Sequence, residues 1–214
     1  MQKVYFIAGL GADRRAFSFL DLSFCNPIFI DWATPSPNET LPSYAEKLFS
    51  YINDEEATIV GLSFGGMLAT EIAKKYPRTK AIIISSSKTH SEIPSYLRFW
   101  RHFPIYKLHS DRIKNRAGSF VLSILGAKGV EQKKLQLEIM KSSDAAFTRW
   151  AMDAIVNWKN TIVPKNIVHI HGTADKLLPY QYVKADHAVK GGEHVMVMDH
   201  AEELSQLLKQ IITT

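Results

Sequence analysis

Short apolar runs punctuate the chain at Val4–Ala8, Pro27–Asp31, Ala57–Gly61, Ala81–Ser85, Ile167–His171 and, more weakly, His187–Val189. Each is nearly continuous rather than alternating, which is the pattern of strands covered on both faces in a parallel sheet. Helical patterns lie between them. Ser43-Tyr-Ala-Glu46 has the form of a capping box, with Ala45, Leu48, Phe49 and Ile52 as an apolar stripe behind it. Phe64–Tyr76 is rich in helix formers and is stopped by Pro77. The last segment carries Glu202 and Glu203 in its first turn, with Leu204, Leu207, Leu208 and Ile211 on one face and Lys209 late, in accord with the helix dipole. Strands alternating with helices predict a three-layer, doubly wound α/β domain of about six mostly parallel strands.

The rhythm breaks between Lys88 and Lys165, where no strand pattern occurs. A structureless connection of that length does not suit a compact domain. Phe120, Val121, Ile124 and Leu125, then Phe147, Trp150, Ala151, Ala154, Ile155 and Trp158, fall at helical spacing instead. The expected organisation is a core domain from residues 1–87 and 160–214, with a helical cap, 88–159, inserted after the strand near 81–86.

Gly61-Leu62-Ser63-Phe64-Gly65 fits the pattern G-x-S-x-G between a strand and a helix. A tight turn there throws the Ser63 hydroxyl above the sheet, over a helix N-terminus whose amides favour developing negative charge. The competing readings are a plain turn and a phosphate-cradling loop; no Lys follows the glycines, so a Walker-type loop fails. A serine hydroxyl is a weak nucleophile until a histidine takes its proton, and that histidine needs an orienting carboxylate. Asp175 in His171-Gly-Thr-Ala-Asp175 follows a strand and falls at the sheet edge that carries Ser63. His194 follows Gly191-Gly192 just ahead of the last helix and is the expected base, with His200 as its rival. His169 and His171 share one strand face and read as core residues rather than metal ligands. His90, His102 and His109 fall in the insertion and read as surface residues.

Gly61–Gly65, His171–Asp175 and Gly191–His194 followed by the Glu202–Ile212 segment, in the order Ser63, Asp175, His194, resemble the α/β-hydrolase superfamily and its small bacterial-type serine hydrolases. The likeness spans about residues 3–87 and 160–212. Ala8-Gly9-Leu10-Gly11 occupies the place of that family's oxyanion loop, with Ala8 where the family often has His. The resemblance implies an α/β-hydrolase fold without the usual leading antiparallel strands. It implies oxyanion donors at the backbone N–H groups of Leu10 and Phe64, and no cofactor. It also implies hydrolysis of a small-molecule ester or thioester through an acyl-enzyme on Ser63. Carbon–carbon bond hydrolases, lyases, perhydrolases and slow-turnover binding proteins share the constellation. Ser in place of Asp at the elbow disfavours a dehalogenase.

Composition narrows the picture. The chain has 214 residues, 46% hydrophobic and 22% charged, ordinary globular values that exclude disordered and low-complexity classes. The single cysteine, Cys25, excludes an internal disulfide scaffold and a CxxC metal site. No apolar run is long enough for a membrane span, and the opening run is too short for a signal-peptide core, so a cytoplasmic location without stable membrane insertion is expected. The net charge of +5 is unevenly spread: residues 88–150 hold 12 Lys and Arg against 5 Asp and Glu. Basic residues and aromatics interleave between Ser95 and Arg116. That stretch reads as an amphipathic cap helix, as a surface for an anionic acyl group or a carrier such as coenzyme A, or as a contact for a membrane surface or nucleic acid, although no nucleic-acid module pattern is present. Trp100, Phe103 and Trp150 are the substrate-contact candidates.

Overall fold

The computed structural model describes residues 1–99 and 122–214. The strands are β1 (Lys3–Ile7), β2 (Asn26–Ile30), β3 (Thr58–Leu62), β4 (Lys80–Ile84), β5 (Ile167–Gly172) and β6 (His187–Val189). They form one sheet in the order β2-β1-β3-β4-β5-β6, and every neighbouring pair is parallel. The sheet is therefore open and doubly wound. The direction of winding reverses between β1 and β3, and ligands of such sheets bind beyond the strand C-termini at that point.

Register explains why both faces are apolar. Ile59 sits opposite Tyr5 and Ala81, and Val60 sits opposite Phe6 and Ile82. The row Tyr5, Ile7, Ile59, Ala81 and Ile83 packs under α1 (Leu41–Ile52) and α2 (Phe64–Lys75). The row Val4, Phe6, Val60, Leu62, Ile82 and Ile84 packs against Ala16 and Phe17, α6 (Met196–Asp199) and α7 (Ala201–Thr213). Ile59, Val60, Ile82, Ile83 and Ile84 are wholly buried. Each such side chain contributes about 1.5–3 kcal/mol by leaving water.

Helix α1 begins earlier than the Ser43–Glu46 pattern predicts. Thr40 is its N-cap, and Thr40 and Ser43 cap each other's backbone amides. Pro42 explains the shift: in a first turn its missing N–H leaves nothing unsatisfied. Glu46 pairs instead with Lys75 of α2, at 2.7 Å. Helix α2 is buried from Phe64 to Ala73 and ends before Pro77, which holds Tyr76 out of helical geometry.

Between β4 and β5 lie α3 (Ser95–Phe99), α4 (Val130–Ser142) and α5 (Ala145–Val156). Phe147, Ala151 and Ala154 of α5, with Trp158 beyond it, join the apolar layer made by α1 and α2. Trp158 Nε1 donates to buried Glu71 at 2.7 Å. The sequence pattern names no element over α4, whose buried positions are only Gln136 and Ile139, too few to mark a stripe. Among the described residues, no helix is long and apolar enough to cross a membrane.

Candidate active site

The elbow after β3 is shaped by backbone crowding. Ser63 has φ 51° and ψ −114°, a conformation L-residues rarely hold. Its amide donates to Ile84 O at 2.9 Å, and its carbonyl receives Gly66 N at 2.9 Å and Ser86 Oγ at 2.6 Å. A Cβ on Gly61 would stand 2.4 Å from Gly65 O, and one on Gly65 would stand 2.3 Å from both Ala8 O and Ile7 O. The two glycines flanking Ser63 thus let three stretches of backbone meet. As the first residue of α2, Phe64 has an amide with no intrahelical acceptor.

The loop after β1 lies beside the elbow, with Gly9 packed on Ser63. It turns through the bond from Ala12 N to Gly9 O and through Gly11, at φ 68°. Trp32, just past β2, pins it by donating from Nε1 to Ala12 O at 2.7 Å. Among the described residues, the amides of Leu10 and Phe64 donate to no protein acceptor. Sequence reasoning passed over Trp32 and Ser86, although each lies two residues past a strand C-terminus.

His194 comes off the Gly191-Gly192 turn and is buried. Its Nε2 lies 2.9 Å from Ser63 Oγ and its Nδ1 lies 2.8 Å from Asp175 Oδ2. An ionised carboxylate only accepts, so Nδ1 carries the proton and Nε2 accepts from the Ser63 hydroxyl. Asp175 Oδ1 receives the amides of Leu177 and Leu178, each at 2.8 Å. Burial pushes the Asp175 carboxyl up, but His194, the Leu178 amide and His171 outweigh it and hold it below the ordinary carboxylate range. Ser63, Asp175 and His194, far apart in sequence, form one hydrogen-bonded series at the C-terminal edge of the sheet.

The other histidines divide. His200 starts α7, with Nδ1 3.5 Å from Glu203 Oε2, and takes no part in the series. His90 Nδ1 lies 3.0 Å from Asn160 O. His169 and His171 are wholly buried behind Asp175. Burial holds both below the ordinary imidazole range, and for His169 the facing His171 adds to the effect. Their strand alternation was legible in sequence, but not their neighbours. No group of three or more His, Cys, Asp or Glu side chains among the described residues is arranged to hold a metal ion.

Trp150 Nε1 donates to Glu39 O at 2.8 Å, and its ring packs on Tyr44, Phe147 and Phe64. Trp32, Phe147 and Trp150 line a groove of about 710 Å³ that runs from Gly11 along residues 33–38 to Ser142–Asp144. Trp100, Phe103, His102 and His109, and most of the basic and aromatic stretch 95–116, lie outside the described residues.

Several solved structures share this architecture. A thermophilic esterase from Thermogutta terrifontis is 14% identical, with a TM-score of 0.75 over 100% of this chain and 90% of that one. A bromoperoxidase from Bacillus anthracis is 16% identical, with a TM-score of 0.73 over 100% and 92%. A meta-cleavage product hydrolase from Pseudomonas fluorescens is 17% identical, with a TM-score of 0.69 over 100% and 91%. At such identities the likeness is one of fold. No curated protein matches the sequence. The sequence profile of the alpha/beta hydrolase family matches residues 4–207, nearly the whole chain, and the protein therefore belongs to that family.

Proposed function

We propose that the protein is a serine hydrolase that cleaves a small-molecule ester or thioester through an acyl-enzyme on Ser63. The observation that carries this reading is the continuous series from Ser63 Oγ through His194 to Asp175, with bonds of 2.9 and 2.8 Å. His194 Nε2 takes the Ser63 proton as Oγ attacks the carbonyl carbon, and Asp175 keeps Nδ1 protonated and stabilises the imidazolium that forms. The amides of Leu10 and Phe64 receive the oxyanion; losing one such donor typically costs about 3 kcal/mol in the transition state. His194 then protonates the leaving group, and a water molecule activated by the same imidazole releases the acid and restores Ser63.

Residues 88–159 act as the cap on a core of 1–87 and 160–214. In this reading α4 and α5 close the aromatic groove, and Trp150 with Trp32 and Phe147 receives an apolar part of the substrate. The basic character of 88–150 suits an anionic group on the acid or its carrier. No step calls for a cofactor. In purified protein, Ser63→Ala is expected to abolish turnover across a panel of esters and thioesters and to abolish labelling by a fluorophosphonate probe. Unchanged turnover in that variant overturns the acyl-enzyme.

A further inference from the structure

His171, at the end of β5, is tied to the acid loop twice. Its Nε2 lies 2.8 Å from Leu178 O, and a carbonyl only accepts, so Nε2 carries a proton. Leu178 in turn donates its amide to Asp175 Oδ1 at 2.8 Å. One residue is thus held at both ends, by its carbonyl to His171 and by its amide to Asp175. The same Nε2 stands 3.4 Å from Asp175 Oδ2, the oxygen that receives His194. Behind it, His169 Nε2 lies 3.1 Å from His171 Nδ1. A neutral His171 that is protonated on Nε2 accepts at Nδ1, so His169 Nε2 is the donor. The chain of N–H dipoles then points at the carboxylate.

We propose that His171, braced by His169, is a positioning residue for Asp175: it clamps Leu178 and sets the carboxylate's aim on His194 without touching the reacting atoms. The proposal rests on the reading of Ser63, His194 and Asp175 given above. Neutrality is part of the device, because a cation at His171 would compete with His194 for Asp175. The groups that face the pair are Asp175 and His194, the Tyr180 ring at 6.3 Å, the Lys88 ammonium, and Asp186, whose carboxylate receives the His169 amide at 2.7 Å. Lys88 is itself turned to the Lys184 carbonyl, with Glu92 4.0 Å away. Burial keeps both imidazoles in the neutral form.

The test compares His171→Leu, which has no donor, with His171→Gln, whose amide N–H can reach toward Leu178 O. Turnover is measured per active site titrated with a fluorophosphonate, so that unfolded molecules drop out. In His171→Leu, kcat per site is expected to fall about 10- to 100-fold, the cost of a misaimed catalytic group, with KM little changed. The acid limb of kcat/KM moves to lower pH, because a loosened Asp175 stabilises the His194 imidazolium less. His171→Gln recovers most of both effects. Nitrogen-15 NMR titration of His194 in free protein is expected to show the same downward move without any substrate. A downward move in His171→Leu, for a protein whose wild type hydrolyses no ester, defeats the acyl-enzyme reading and leaves the positioning role standing. Wild-type kcat per site in His171→Leu, or a titration of His194 that stays put or moves up, overturns the proposal.

Discussion

The two ends of the hydrogen-bonded series are built in opposite ways. At the Ser63 end, geometry comes from backbone: glycine positions let β1, β3 and α2 approach until no side chain fits, and the serine is held at positive φ. At the Asp175 end, geometry comes from buried side chains: the carboxylate holds two amides, and an imidazole pair holds the loop that supplies them. Close contact between backbone atoms cannot yield without moving strands. A buried polar clamp yields gradually, as each bond is lost or each group titrates. The elbow is therefore the rigid end, and the acid loop is the end where small chemical changes tune the alignment.

Asp175→Asn tests the acid loop most severely. The amide can keep accepting from Leu177 and Leu178, but toward His194 it donates, which forces the proton onto Nε2, facing Ser63. The expected loss is about 10⁴-fold in kcat, as for the same replacement in serine proteases, with a modest fall in thermal stability from the missing carboxylate. Steady-state kinetics beside a thermal melt measures both, and a loss below tenfold contradicts the assigned tautomer.

Gly65→Ala probes the other end. Its added methyl carbon would stand 2.3 Å from two carbonyl oxygens of the β1 stretch. Overpacking of this kind costs about 1–3 kcal/mol, and this contact is with backbone, which places it at the upper end. Urea unfolding should show a lower midpoint, together with reduced fluorophosphonate labelling of the folded fraction. A variant that labels and unfolds like the wild type would mean that the strands can part cheaply.

The gentlest test is pH. His169 and His171 lie below their ordinary value, so an unfolded chain binds protons that the native one refuses. Stability should fall as pH drops from about 6.5 toward the native values, each unit of depression being worth about 1.4 kcal/mol. Asp175 acts in a separate window: its lowered value adds stability above about pH 4 that is lost in stronger acid. Thermal melts between pH 8 and pH 5 should slope downward in the wild type and flatten in His169→Leu. An equal slope in that variant would assign the sensitivity to groups other than His169.

Much of this was legible along the chain. Strands buried on both faces announce themselves as apolar runs, so β1 to β5 were placed to within a residue or two. The elbow was legible because its cause is local, two glycines at fixed offsets from Ser63. Asp175, read from its place after a strand, and His194, read from its place after the Gly191-Gly192 turn, do come within hydrogen-bond reach of each other. The start of α1 was misread because Ser43 and Glu46 fit a capping pattern that Thr40 and Pro42 served better. Helix α4 went unread because its buried face is only two residues wide.

By itself, then, the sequence determined the features that depend on neighbours along the chain: strand periodicity, the glycine turn, and the order of Ser63, Asp175 and His194 along it. Tertiary structure alone decided which side chains meet across the sheet. His169 and His171 alternate on β5 like any inward pair, and only the return of the chain through Leu178 turns His171 into a clamp on Asp175. Trp32 likewise pins the loop after β1 only because β2 lies beside that strand. Periodicity tells a residue which way to face, but what it faces is set by packing between segments far apart in sequence.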